Sequence, residues 1–330
     1  MDLHPSLRWR AITPEDAPTL LTLENTIEEA DARPFRMSLA ELEDELGAPW
    51  RNLAEESVIG LDDDGVARAW IELLAPPDDE TERRVFLFGG VHPQWRGRGV
   101  GRALVPWALE RAHALVAAHP AGAGVPWRVG VFLSVDDDAA VRLYERAGLT
   151  ALRHYAMLRR DLAAPLPHVA TPDGVVVELW TPEIEEGARL AHNAAFADHW
   201  GSQPQSAERW LEERWAFVRE WSLVARDTAL PGAPVVGYLR AEKLPDDWPA
   251  QGFTSAYVDI LGVVREARGR GIASLLLARA MAIYAADGIE YATLSVDTAN
   301  PTGAFELYER LGFESYHRRV HLALTSDGDR

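Results

Sequence analysis

The sequence predicts an α/β (α+β) protein built as a tandem repeat, each half a mixed sheet flanked by helices. Two arginine- and glycine-rich turns carry the argument first: Arg96-Gly97-Arg98-Gly99-Val100-Gly101 and Arg268-Gly269-Arg270-Gly271-Ile272-Ala273, each between an apolar strand-like run and an amphipathic helix-like run. Each turn is followed by the same phrase, Leu143-Tyr144-Glu145-Arg146-Ala147-Gly148-Leu149 and Leu307-Tyr308-Glu309-Arg310-Leu311-Gly312-Phe313. Thr13-Pro14-Glu15 and Thr181-Pro182-Glu183 supply a third landmark at nearly the same offset. Each reads as a helix N-cap with proline at the first helical position.

Taken in order, the second half reads as a strand over residues 175–179, helices over 183–196 and 207–219, and a hairpin from 223–225 and 235–242. A strand over 256–263 leads into the turn, a helix over 272–286, a strand over 292–296, a helix over 302–311 and a final strand around 317–322. The first half follows the same plan. Residues 163–174, from Ala163-Ala164-Pro165 to Pro172-Asp173-Gly174, are proline-rich and nonperiodic, so they read as a linker between domains at 1–162 and 175–330.

With 330 residues and 47% hydrophobic content the chain can bury two cores. A net charge of −18 removes the broad cationic field that nucleic acid or an anionic membrane would require. It contains no cysteine, which excludes disulfides, cysteine-ligated zinc and a thiol-bound acyl intermediate, so any acyl transfer must be direct. The opening Met1-Asp2-Leu3-His4-Pro5 lacks a basic region followed by an apolar core, and no apolar run reaches bilayer length; a soluble cytoplasmic protein is expected.

The turns have a chemical reading of their own. After Ile260-Leu261-Gly262-Val263 the chain must turn tightly and start a helix near Ile272, leaving backbone N–H groups at the helix start without partners. Gly269 and Gly271 let backbone approach an anion, and Arg268 and Arg270 add charge where the helix dipole already favours one. A diphosphate is the expected ligand. A dinucleotide site of the Rossmann type fits less well, because the turn falls in mid-domain and no acidic ribose partner is evident.

Both halves resemble domains of the GNAT superfamily of N-acetyltransferases, whose signature is (Q/R)-x-x-G-x-(G/A). The resemblance covers nearly the whole chain, in the two-domain layout of the mycothiol synthase-like subgroup, whose substrate is not carried over. It implies two tandem domains, each with a mixed, mostly antiparallel twisted sheet, and acetyl-CoA as cosubstrate with no metal. The pyrophosphate would lie over Arg268, Gly269, Arg270, Gly271, Ile272 and Ala273, with the pantetheine arm on the strand ending at Val263. Asn300 matches an asparagine the family keeps near CoA, and Tyr308 matches the tyrosine that protonates the departing sulfur. Tyr144 is its counterpart in the first half; packing between helix and sheet is the competing account of Tyr308.

Acetyl transfer to an amine needs a neutral amine, and an alkylammonium titrates at about 10, so a base or a water chain must take its proton. Asp259, on the strand before the second turn, is the candidate base; an ordinary sheet aspartate is the alternative. Its counterpart is Leu87, and that of Asn300 is Asp136, which heads a carboxylate run with Asp137 and Asp138. These differences assign catalysis to the second half. The first half retains Arg96, Gly97, Arg98, Gly99 and Gly101, so it either holds CoA as well or acts as scaffold.

On the acceptor side, the segment Phe196-Ala197-Asp198-His199-Trp200-Gly201 suggests His199 and Trp200 as substrate contacts, with Trp210 as a wall or as plain packing. His317 and His321 are spaced like a helical metal pair but fall on a strand, which separates the rings by about 13 Å and argues against a metal. Glu41-Leu42-Glu43-Asp44-Glu45 reads as a solvated helix face. The expected activity is transfer of acetyl to a small amine in a ternary complex, by a monomer or homodimer with no nucleic-acid or membrane partner. A noncatalytic acyl-CoA-binding or sensing protein is the alternative.

Overall fold

The computed structural model describes residues 3–122, 124–212, 214–299 and 303–326. The chain forms two compact units, Met1–His154 with Arg318–Arg330, and Tyr155–His317. These differ from a division at 163–174, because the last strand of each repeat is exchanged.

The first unit runs β1 (Arg8–Arg10), α1 (Ala17–Ala30), α2 (Leu39–Gly47), α3 (Leu53–Glu56), β2 (Ser57–Leu61), β3 (Ala67–Leu74), β4 (Arg83–Val91), α4 (Val100–Ala118), β5 (Trp127–Ser134) and α5 (Asp138–Arg146). The strand β6 (Thr150–Asp161) follows. The second repeat continues with β7 (Val175–Leu179), α6 (Glu185–Phe196), β8 (Leu223–Asp227), β9 (Val235–Glu242), α7 (Trp248–Gln251), β10 (Ser255–Val263), α8 (Ile272–Ala286), β11 (Tyr291–Asp297), α9 (Ala304–Arg310) and β12 (Glu314–Thr325).

Strand order is β1-β2-β3-β4-β5-β12 in the first unit and β6-β11-β10-β9-β8-β7 in the second. From Tyr155 onward β6 pairs with β11, and from Arg319 onward β12 pairs with β5. Each sheet is therefore completed by the closing strand of the other repeat. All pairings within each unit are antiparallel except β4 with β5 and β10 with β11.

Alternation along β9 explains the layers. Tyr238 joins a core with Trp180, Ala188, Ala191, Trp210 and Val224. Its neighbour Leu239 joins the opposite core with Ile272, Leu275, Leu276, Met281 and Tyr284 of α8. Successive strand residues face opposite sides, so α6 and α8 cover opposite faces of one sheet. The first unit repeats this with α1 and α2 over Ile59 and Trp70, and α4 over Val58 and Ile71.

Two expectations from sequence change. Residues 207–219 are not a helix: among the described residues there are only single 3₁₀ turns at Arg209–Leu211 and Arg219–Trp221. Tertiary contacts override propensity here. Trp210 is buried against Trp180, Arg214 forks onto Glu185 with 2.9 Å bonds to both oxygens, and the Val218 N–H donates to Ala241 on β9. Nor is residues 41–45 simply a solvated face. Glu43 and Asp44 are exposed, but Glu45 turns inward to Arg51 at 3.7 Å. Its carboxyl is pushed well up by burial and then by the charge of Glu72.

Candidate active site

The site starts where two parallel strands part. β10 and β11 are in register only from Ser255 with Tyr291 to Val258 with Leu294, although the strands continue to Val263 and Asp297. Against β9, the register of β10 shifts between Val258 and Ile260, so Asp259 is the bulged residue. Beyond the split, the backbone of β10 that faces β11 has no ladder partner among the described residues, and an extended ligand can take its N–H and C=O groups. The first unit parts likewise: β4 and β5 pair only from Arg83 with Trp127 to Phe86 with Gly130.

Both split strands end in the same device. A 3₁₀ turn (Pro93–Trp95 or Arg265–Ala267) leads to a left-handed glycine, Gly97 at φ 75° or Gly269 at φ 78°. A second left-handed glycine, Gly99 at φ 94° or Gly271 at φ 81°, then caps α4 or α8. Only glycine adopts this conformation without strain. A Cβ at Gly269 or Gly271 would meet nothing within 4 Å, so the space above the second turn is open. The first N–H groups of α8 lack intrahelical acceptors, and the helix dipole favours negative charge there. Ile272 is buried against β9 beside Gly237 and seats the helix, and Ala273 follows in its first turn.

The arginines bond to neighbouring protein groups although Arg96, Arg98 and Arg268 stay exposed. Arg268 donates from Nε to the Val263 carbonyl at 3.1 Å and from Nη2 to the Ala195 carbonyl at 2.7 Å. Arg270 forms an ion pair with Asp227, which holds that carboxylate below the usual range, and donates to the Asp173 carbonyl. In the first unit Arg96 donates to the Val91 carbonyl and forks onto Asp31 at 2.6 and 3.0 Å, while Arg98 lies over the Trp95 ring at 4.8 Å. The Arg98 carbonyl takes a 3.0 Å hydrogen bond with Nε2 of His4, which also lies 3.7 Å from a Cβ built on Gly99. Gly101 is packed by Leu143.

Tyr308, on α9, is 9% exposed, edge-on to Phe313 at 5.7 Å, and burial pushes its phenol up to about 12. It is protonated at neutral pH, the state a proton donor must hold. Tyr144 is 8% exposed with its phenol also pushed up to about 12, so titration alone does not separate the two. Asp259 accepts from Nε and Nη2 of Arg240 on one oxygen, Oδ2, at 2.7 and 2.6 Å. Asn300 lies outside the described residues.

On the acceptor side, α6 ends at Phe196, and His199 follows with its N–H on the Phe196 carbonyl and its ring edge-on to Phe196 at 5.3 Å. Trp200 is half-buried and Trp210 is core. The sequence reading missed His192. It shares the inward face of α6 with Ala188, Ala191 and Ala195, and its Nδ1 lies 2.5 Å from Tyr238 Oη. Burial, then the charge of Arg240, pushes the imidazole down to about 4. Tyr238 is paired with Gly262 across β9 and β10, and a Cβ on Gly262 would come 2.6 Å from its ring. The signal was available: a histidine at a helical core position marks a buried polar contact. His321 is another buried imidazole, stacked on Phe132 at 4.3 Å on β12. Among the described residues no helix is long and apolar enough to cross a membrane.

Comparison with known proteins agrees with this architecture. Residues 188–313 match the Acetyltransferase (GNAT) family and residues 54–149 an Acetyltransferase (GNAT) domain. A mycothiol acetyltransferase of Thermobispora bispora is 34% identical over 255 residues, covering 76% of this chain and 78% of its own. One from Salinispora arenicola is 32% identical over 327 residues, covering 95% of each. A crystal structure of a GCN5-related N-acetyltransferase from Sphaerobacter thermophilus is 28% identical with a TM-score of 0.76, covering 98% of this chain and 96% of the other. A tandem GNAT protein from the clavulanic acid biosynthesis pathway, 18% identical with a TM-score of 0.71, shares the fold. Two repeated, split-sheet domains with glycine turns define a tandem acyltransferase of this architecture. The chain belongs to the GNAT acetyltransferase family and is an N-acetyltransferase.

Proposed function

We propose that the second unit transfers acetyl from acetyl-CoA directly to the amine of a small acceptor, with the first unit in a supporting role. The observation that carries this reading is the open turn at Gly269 and Gly271, at the start of α8 and directly after the split strand β10. A diphosphate fits there, since a Cβ at either glycine would occupy space that a phosphate oxygen can use. When bound, acetyl-CoA supplies an activated thioester, so no protein nucleophile is needed.

The protein's own groups then divide the work. Backbone at Gly269, Gly271 and the first turn of α8 anchors the phosphates, and β10 up to Val263 lies along the pantetheine. Tyr308 holds the proton destined for the sulfur. The amine proton leaves through water or through Asp259, whose Oδ2 is held by Arg240. His199 and Trp200 border the acceptor, on the segment that follows α6.

The test is release of free CoA thiol from acetyl-CoA across an amine panel. Because the relatives are named mycothiol acetyltransferases, the panel includes the deacetylated precursor of mycothiol. Turnover with at least one small amine is expected. Tight CoA binding by calorimetry with no turnover on any acceptor would replace transfer with sensing.

A further inference from the structure

The first arginine of the second turn joins two elements that otherwise have separate tasks. Arg268 Nε holds the last carbonyl of β10, and Nη2 holds the carbonyl of Ala195, one residue before the end of α6. The last carbonyls of a helix lack intrahelical donors, so Arg268 completes the end of α6. Among the described residues no carboxylate pairs with Arg268, and its Nη1 makes no hydrogen bond. The acceptor-side segment starts immediately after this helix end. There the His199 N–H bonds Phe196, the Ser202 N–H bonds His199, and the Gln205 N–H bonds Asn193 Oδ1 of α6.

The first unit contains the same staple. Arg96 Nε holds the last carbonyl of β4 at 3.1 Å, and its two Nη groups hold Asp31, the residue that follows and caps α1. The repeat has thus kept an arginine between the glycine turn and the acceptor-side helix, while the acceptor at the helix end changed from a carboxylate to a carbonyl. In the first unit the guanidinium charge is matched; in the second it is not, so an anion arriving at the second turn acts on it more strongly.

We propose that Arg268 is a positioning residue that couples occupancy of the glycine turn to the order of the acceptor-side segment from Ala197 onward. The inference rests on the reading that CoA binds this turn. Negative charge over Gly269 and Gly271 draws on the guanidinium, which is fixed to the strand end by Nε, and thereby holds the bond from Nη2 to Ala195. The helix end and the turns at His199 and Ser202 are held with it. Linkage makes the effect reciprocal: an acceptor that orders the segment tightens CoA.

The test is hydrogen exchange on the full chain with and without CoA, alongside calorimetric CoA affinity. In the wild type, CoA is expected to slow exchange at residues 269–275 and, by about fivefold or more, at residues 196–206. In Arg268→Gln, protection at 269–275 persists and protection at 196–206 is lost. Arg268→Lys keeps a cation without the planar fork, so it also loses the second protection while retaining more CoA affinity than Arg268→Gln. Wild-type protein that binds CoA without slowing 196–206 would overturn the coupling. So would an Arg268→Gln protein whose affinity drops while 196–206 stays protected, since Arg268 would then be a plain phosphate ligand. Wild-type protein that neither binds CoA nor gains protection at 269–275 would remove the functional reading itself, and the coupling with it.

Discussion

At the same step of the repeat the first unit places a carboxylate where the second places an imidazole. Glu24 on α1 accepts from the Trp70 indole at 2.9 Å, and Trp70 faces Gly90 across β3 and β4. His192 on α6 meets Tyr238 at 2.5 Å, and Tyr238 faces Gly262 across β9 and β10. The helix-to-strand hydrogen bond and the glycine beside it have both survived duplication, but the surroundings have diverged. Around Glu24 stand Glu28, Glu72, Arg33 and, near Glu72, Arg51 with Glu45 and Glu56. Around His192 stand Phe196, Trp210 and Tyr238. One face gathers buried carboxylates around Arg51, while the other sets a histidine among packed rings beside the Arg214–Glu185 and Arg240–Asp259 pairs, so the two units answer differently to pH.

The strongest way to break the comparison is to remove the charge at the centre of the first face. Arg51 has a side chain 1% exposed and bonds Glu56 at 2.9 Å and Glu72 at 3.1 Å. Arg51→Ala strands those carboxylates in the interior and is expected to cost about 3–5 kcal/mol. Chemical denaturation measures it. A loss under about 1 kcal/mol would mean these carboxylates do not depend on the guanidinium for their place in the interior.

Next in size is the separation of the two tyrosines. Tyr308→Phe is expected to lower kcat by roughly a hundred- to ten-thousand-fold, the range of a lost proton donor, with CoA affinity retained. Tyr144→Phe is expected to leave turnover near wild type. Equal losses in steady-state assays would place chemistry in both units, and full activity of the Tyr308 variant would remove this phenol from the reaction.

The aromatic and acidic faces were unequally legible in the sequence. The turns, the repeated phrase and helix α8 follow from glycine, proline and apolar spacing, which act locally, and residues 272–286 are helical as expected. The 207–219 helix failed because the side chains that favour a helix there, Trp210 and Arg214, are used by Trp180 and Glu185. The strand exchange leaves no local mark, since β6 and β12 carry the same alternation whichever sheet they join. Likewise the protein acceptors of the turn arginines, Ala195 for Arg268 and Asp227 for Arg270, come from distant parts of the chain and leave no mark beside the turn.

Opposite pH limbs sharpen the contrast further. Glu28 is pushed up to about 8 from an ordinary 4.5, by burial first and then by Glu24. Its folded form holds the proton more tightly than the unfolded chain, so its contribution to stability is complete below about 4.5 and is lost as pH rises toward 8. His192 is pushed down to about 4 from 6.5, so its contribution is complete above 6.5 and is lost as pH falls toward 4. Melting temperature against pH should show Glu28→Gln flattening the alkaline limb and His192→Gln the acid limb. Interchanged effects would refute the assignment of each limb to its unit.

The smallest test concerns the ion pairs that hold each acceptor-side loop. Asp31 is 14% exposed and takes both Nη groups of Arg96, whereas Asp198 and Arg265 are 69% and 72% exposed at 3.1 Å. A bidentate, partly shielded pair keeps its geometry, while an exposed single contact is screened by water and salt. Asp31→Asn should therefore cost about 1 kcal/mol or slightly more, and Asp198→Asn no more than a few tenths. Both losses are expected to shrink in high salt, the first less than the second. If thermal unfolding at low ionic strength ranked Asp198 above Asp31, solvent screening would not be what separates the two loops, and the second loop would be held from its surface rather than by Arg268 at the helix end.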